Sequence, residues 1–303
     1  MTKTLALITA VLMFAPCASA QDMPPDYASV LKTLNRQGDY KDNVLKVNIP
    51  RNDLKVVVDG VATPTPFGFG GWIALTKGTG DVDVMMGDLV LTEDEVNPVM
   101  SALLTNGLDV TALHNHFFFD TPRICYMHVH GHGTAADLSA KVKPALALIG
   151  AKPAASSSTT SGRAINGTLD SAALAKIVGY DGEQNGMVYK ITIGRPDIPL
   201  KEMGASINAR MGLNTWAAFY GSDADAVVAG DIAMLDREVT PVLKSLRSSG
   251  IDVVAIHHHM TGTQPQVIFL HYWGKGSAQK LATAFRAAVD QTGARPKTTT
   301  AQR

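Results

Sequence analysis

All nine histidines of this 303-residue chain fall in two short windows. Five lie in ALHNHFFFDTPRICYMHVHGHG, residues 112–133, and four in AIHHHMTGTQPQVIFLHYWGKG, residues 255–276. A neutral imidazole offers a nitrogen lone pair to zinc, copper, nickel or iron, so histidines gathered this way point first to a divalent transition metal, with zinc the leading expectation. Residues two apart on a strand project from one face. His114 and His116 therefore share a face, as do His128 and His130. If the two strands form a hairpin centred near Pro122, His114 stands opposite His130 and His116 opposite His128. Four imidazoles then make a square, with opposed Cβ atoms about 4.5–5.5 Å apart.

In the second window His257, His259 and His271 repeat three of these positions, and Trp273 stands in the fourth. Three imidazoles and an open position are the ligand set of a catalytic zinc site, whereas four fill a tetrahedral shell. His258 and Asn115 should point the other way, and His132 reads as a loop residue. Glu95, in TEDE, and Glu238, in LDRE, are candidates for a general base. The capping box that TEDE spells gives Glu95 a structural alternative. Asp88 and Asp231, each after a glycine late in a strand, are further candidates beside a turn or hydrogen-bonding duty. Trp72 and Trp216 read as core anchors, and Cys125 as a buried apolar residue.

The elements that must position these residues are written twice. At a shift of 143 residues GDLVLTEDEVNPV (87–99) falls on GDIAMLDREVTPV (230–242), and NGLDVTALHNH (106–116) on SGIDVVAIHHH (249–259). The same shift puts His128 on His271. Upstream the shift is 144, pairing Arg51 with Arg195, Asp53 with Asp197 and Trp72 with Trp216. Each copy reads as a helix, four strands, a helix, two strands and a final helix. The fold class is α+β: two tandem copies of a mainly antiparallel sheet-plus-helices module related by pseudo-twofold symmetry. The last two strands are apolar on both faces, so helices must cover one face and the duplicate's sheet is the natural cover for the other.

The first twenty residues carry a lysine, an apolar run and Ala18-Ser19-Ala20 before Gln21, the pattern of a secretory signal peptide. The organisation read from the chain is therefore a signal peptide over 1–20, a first α+β repeat over 21–150 and a flexible linker over 151–169. A second repeat over 170–293 and a flexible tail over 294–303 follow. Pro16 and Phe14 argue against lipid attachment at Cys17, and cleavage would leave Cys125 alone, so no intramolecular disulfide is expected. No further apolar run is long enough for a membrane helix. The formal net charge is zero, which gives no electrostatic footprint for nucleic acid.

The stretch MGDLVLTEDEVNPVMSALLTNGLDVTALHNHFFFDTPRICYMHVHG and its counterpart ending in LHYWGKG resemble the LppY/LpqO family of exported bacterial proteins. The resemblance runs from about Asp26 to Asp290. It implies an envelope location and two copies of a domain of unassigned function, and that some members are lipoproteins; it supplies no catalytic residues. The expected function is thus an exported, periplasmic or extracellular protein that binds a divalent metal through repeated HxH…H motifs. A metal-dependent hydrolase using the three-histidine site is one alternative. A non-catalytic envelope module with structural histidines is another. The substrate or partner is not written in the chain.

Overall fold

A computed structural model of the protein describes residues 21–151 and 161–294. The signal-peptide reading, Cys17, and parts of the linker and tail lie outside the described residues. The first copy runs α1 (Pro25–Leu34), β1 (Gly38–Lys41), β2 (Val44–Pro50), β3 (Val56–Val58), β4 (Val61–Thr63), β5 (Gly70–Lys77) and β6 (Asp83–Thr92). It continues with α2 (Glu93–Thr105), β7 (Asp109–His114), β8 (Asp120–Thr121), β9 (Ile124–Gly133) and α3 (Ala135–Leu146). The second copy runs α4 (Ser171–Val178), β10 (Gly182–Asn185), β11 (Val188–Gly194), β12 (Lys201–Glu202), β13 (Ala205–Ser206), β14 (Asn214–Gly221) and β15 (Ala226–Leu235). It ends with α5 (Asp236–Ser248), β16 (Asp252–His257), β17 (Val267–Gly276) and α6 (Ala278–Val289).

Each copy builds one six-stranded sheet with antiparallel neighbours, in the orders β1-β2-β5-β6-β9-β7 and β10-β11-β14-β15-β17-β16. Alternation along the strands divides the side chains between two faces. Odd-numbered residues of β6, Met85, Leu89 and Leu91, join Leu103 and Leu138 in a core between sheet and helices. The second copy repeats that core with Val228, Ile232, Leu246 and Phe285. The opposite faces meet each other. Val90, Tyr126, Phe67 and Phe117 from the first copy pack with Ala229, Tyr220 and Trp273 from the second. Ala74, Met86, Ala233 and Phe269 close the other end of that seam. The architecture is a four-layer α/β/β/α sandwich in which each sheet covers the other, as the apolar strands required.

Two details differ from the sequence reading. The β7 and β9 strands do not form a tight hairpin about Pro122. Their register sets His114 against Tyr126 and Ala112 against His128, with a bulge between Val110 and Ala112. The chain needs a longer connection because Phe117 is buried in the seam and Asp120 and Thr121 pair with β3. The end of the linker is not free: Ile165 is buried, Arg163 bridges Val61 through the backbone and its guanidinium pairs with Asp225. No described helix is long and apolar enough to cross a membrane.

Candidate metal centre

The inward face of each sheet carries one transverse row of polar side chains. Asn48, Trp72, Asp88 and His128 are successive cross-strand partners on β2, β5, β6 and β9. Thr192, Trp216, Asp231 and His271 repeat the row on β11, β14, β15 and β17. His114 and His257 end β7 and β16, and His116 and His259 lie just beyond, where the chain has left the sheet. Because the two sheets face each other, six imidazoles converge in one cluster. The separate square and three-histidine sites expected from the sequence are therefore a single centre shared by both copies.

The ring spacings show the pseudo-twofold directly. His114 and His257 face each other across the seam at 3.8 Å between centroids. His114–His128 is 5.1 Å and His257–His271 is 4.8 Å; His114–His271 is 5.0 Å and His128–His257 is 5.3 Å. Each loop histidine crosses to the other copy. His116 stacks on His271 at 3.6 Å and on its own Tyr126 at 3.2 Å, while His259 lies 4.1 Å from His128 and 3.4 Å from Phe269. Donor nitrogens of His114, His257 and His271, and of His128, His257 and His259, lie within 4.8 Å of one another. These groups could hold a metal ion.

Burial sets the protonation. It holds His128 down to about 4 and His271 to about 3, against the contrary pull of the Gly87 and Gly230 carbonyls. His114, His116, His257 and His259 are likewise pushed below the ordinary histidine range by burial and by their imidazole neighbours. All six are therefore neutral at pH 7, the form that ligates. His128 Nδ1 lies 3.1 Å from the Gly87 carbonyl oxygen and His271 Nδ1 3.1 Å from that of Gly230. Such a contact places the proton on Nδ1 and leaves Nε2 to point into the cluster, the usual way a backbone carbonyl orients a ligating histidine.

A cleft of about 520 Å³ opens on His116, His259 and His271. Its walls carry Asp88 and Asp231, with an Asp88 oxygen 3.9 Å from His116 Nε2 and an Asp231 oxygen 3.4 Å from His259 Nε2. Burial raises Asp88 to about 7 despite Lys46 and Lys190, and raises Asp231 well above the carboxylate range with help from Asp88. Trp72 and Trp216 line this cleft beneath the Lys46 and Lys190 ammonium groups, at 4.4 and 4.1 Å from the ring centroids. Both also pack against the apolar seam, so each anchors the core and walls the cleft at once. The lysines escaped the sequence reading, although the 144 shift pairs them as the one charge within VLKVNIP and VYKITIG.

His130 is not in the cluster. Its register partner on β6 is Met86, and its Nε2 lies 2.9 Å from Glu202 Oε1, which His132 Nε2 also approaches at 2.9 Å. His132 is the penultimate pair of strand β9 rather than a loop residue. This trio could itself hold a metal. The pseudo-equivalent place, where Lys275 stands under His132, holds the Lys275–Asp59 ion pair. Glu202 falls under Val58, so the repeat gave no signal for it.

Glu95 and Glu238 are committed elsewhere. Glu95 accepts from Arg51 at 2.6 and 3.1 Å, from the Thr92 N–H at 2.9 Å and from the Gly150 N–H at 2.6 Å. Glu238 repeats this with Arg195, the Leu235 N–H and the Gly293 N–H. The glutamate persists beside Leu235 because its work is to close the helix start and fix the chain after the last helix. His258 bonds Gln266 and Asn115 bonds the Ile124 carbonyl, both away from the cluster as expected.

A family described as Domain of Unknown Function (DUF1259) matches residues 28–148 and again 172–291. The chain belongs to that family. Its two DUF1259 units are the two sheet-and-helix modules, and the six-imidazole centre lies between them. Among solved structures the chain is similar to the trimeric bacterial microcompartment shell protein PduB, at 11% identity and TM-score 0.20, over 82% of this chain and 88% of that one. It is also similar to EtuB from Clostridium kluyveri, at 9% identity and TM-score 0.20, over 84% and 90%. No curated protein matches it.

Proposed function

We propose that this DUF1259 protein is an exported member of the LppY/LpqO group that binds a divalent transition metal, zinc first, between its two repeats. One observation carries the reading. Each of the six clustered imidazoles keeps a buried ring nitrogen with no hydrogen-bond partner among the described residues. A buried polar atom left unpaired costs about 1–3 kcal/mol, and total stabilities are about 5–15 kcal/mol. The six rings leave nine such nitrogens in one place, and a cation bound by a triad of them supplies a partner. Metal analysis of protein purified without a histidine tag should find stoichiometric metal, and His114→Ala with His257→Ala should remove it from the cluster, whereas His258→Ala should not. Metal-free wild-type protein that melts identically with and without chelator and added zinc would sink the proposal. Export is tested by mass spectrometry of the native protein: Gln21 at the amino terminus is expected, and retention of residues 1–20 counts against it.

A second reading, metal-dependent hydrolysis, is favoured by the cleft. Storage needs no opening beside the ligands, yet here His116, His259 and two carboxyl groups share one. In that reading Asp88 handles the proton, since burial brings it to about 7, which suits general-base work, and Asp231 shares the cleft with it. Zinc-loaded protein should then turn over activated ester or phosphoester probes, and Asp88→Asn with Asp231→Asn should abolish turnover while keeping the metal. Absence of turnover on every probe removes this reading and leaves the first.

A further inference from the structure

The lysines on the cleft walls pose a separate question of charge. Lys46 and Lys190 sit at the same place on β2 and β11, half-buried, each ammonium over its own tryptophan. Neither makes an ion pair with a carboxylate among the described residues. Cation–π contact over tryptophan contributes about 0.5–2 kcal/mol and holds an ammonium in place without neutralising it. The two charges also act on each other. Burial and the neighbouring Lys190 and Arg210 bring Lys46 down to about 8, and burial brings Lys190 to about 8.

The fold offers the lysines little internal compensation. Asp88 and Asp231 share the cleft, but their oxygens approach His116 and His259, and neither pairs with a lysine ammonium. Arg210, also on the wall, is already paired with Asp39. Asp42, Asp181 and Glu183 stand at the mouth, exposed, where water and salt screen them. Two partly desolvated cations without partners, facing one cavity from symmetric positions, are costly unless something negative enters.

We propose that the cleft is a binding site for a small doubly charged oxyanion, clamped between Lys46 and Lys190 with its remaining oxygens toward the histidine cluster. The pseudo-twofold supplies one ammonium to each side, which suits a ligand with acidic oxygens at opposite ends or around one centre. Lysine acts on such a ligand as a point charge, without the fixed fork of arginine. A cavity of about 520 Å³ admits phosphate or a short dicarboxylate with an organic remainder. The proposal names the ligand class for the cleft beside the metal. It rests on the metal reading only for the cation's added positive charge.

The test uses the full mature chain, zinc-loaded and freed of excess metal, titrated calorimetrically with inorganic phosphate and separately with malonate. Binding of at least one probe is expected, and the one that binds tells a phosphoryl ligand from a carboxylate one. Lys46→Met with Lys190→Met should weaken that binding at least tenfold while zinc content is unchanged; Lys46→Arg with Lys190→Arg should recover part of it. Chelator-treated wild type should still bind, more weakly. Amine acylation needs no variant: at pH 8 both lysines should be modified, and the bound probe should protect them. Binding of neither probe by zinc-loaded protein, or binding and protection indifferent to the lysines, overturns the proposal. Zinc content reports separately on the metal reading, so the two fail independently.

Discussion

At the scale of single residues, the metal-free centre should make the protein sensitive to acid. The six imidazoles have folded-state values below the ordinary 6.5, so on unfolding at pH 4–6.5 they take up protons that the native state refuses. Stability then rises with pH, by about 1.4 kcal/mol per pH unit for each proton taken up. Asp88, raised to about 7, acts with the opposite sign over about pH 4–7, and Asp231, also shifted upward, acts in the same sense, but they are two against six. Denaturant titrations in chelator should show stability falling as pH drops from 6.5 toward 4; a flat or rising profile would contradict the buried neutral cluster. The ion triads make a contrasting case. Glu95→Ala leaves Arg51 buried beside Asp53 alone, which should cost about 3–5 kcal/mol with metal binding in the surviving fold unchanged. Histidine type and spacing were legible because imidazole is rare and was gathered in two windows. The paired lysines were not, since a single Lys within an apolar strand looks like an ordinary surface position until the partner sheet covers it.

At the scale of elements, the strand periodicity gave the correct face for His114 and His128, and the repeat gave their counterparts. It did not give the register. The bulge in β7 and the long connection anchored by Phe117 move His116 out of the sheet, and His130 stands beside Met86, two residues further along β9 than His128. Neither a bulge nor a buried loop phenylalanine is announced by alternation. The close approach of strands at the cluster does have a sequence mark, the glycine before each aspartate. A Cβ on Gly230 would fall 2.1 Å from the Trp216 carbonyl oxygen and 2.3 Å from the Tyr272 hydroxyl, and the Tyr272 hydroxyl donates to that carbonyl at 3.1 Å. Gly230 also supplies the carbonyl that faces His271 Nδ1. Gly230→Ala should therefore destabilise the protein by about 1–3 kcal/mol or more, and weaken zinc binding, as read by melting in the presence and absence of chelator. Unchanged melting and zinc affinity would show that β14, β15 and β17 yield more easily than their packing implies.

At the scale of the whole molecule, the duplication predicts two modules, and their apolar inner faces predict that they pack together. What no single-copy pattern could state is that the histidines of both copies point at the same seam, because that depends on the relative placement of two sheets. The consequence is energetic coupling. A cation held by His114 of one copy with His257 and His271 of the other, or by His128 with His257 and His259, links the two cores, so its binding energy stabilises their association as well as each fold. Binding to the folded state alone contributes about 2.7 kcal/mol at a hundredfold excess over the dissociation constant. For a domain of 150–250 residues each kcal/mol moves the melting temperature by about 2–4 °C. Calorimetry should therefore show one transition in zinc-loaded protein, and chelation should lower it by roughly 5–10 °C on these two figures. With the metal removed, mutual repulsion is absent because the imidazoles are neutral, but the seam loses its common ligand while the helix-covered cores keep theirs. Separation into two transitions on chelation would place the metal's whole effect at the seam; two independently chelatable transitions in the loaded protein would instead mean one site per copy, and would overturn the shared centre.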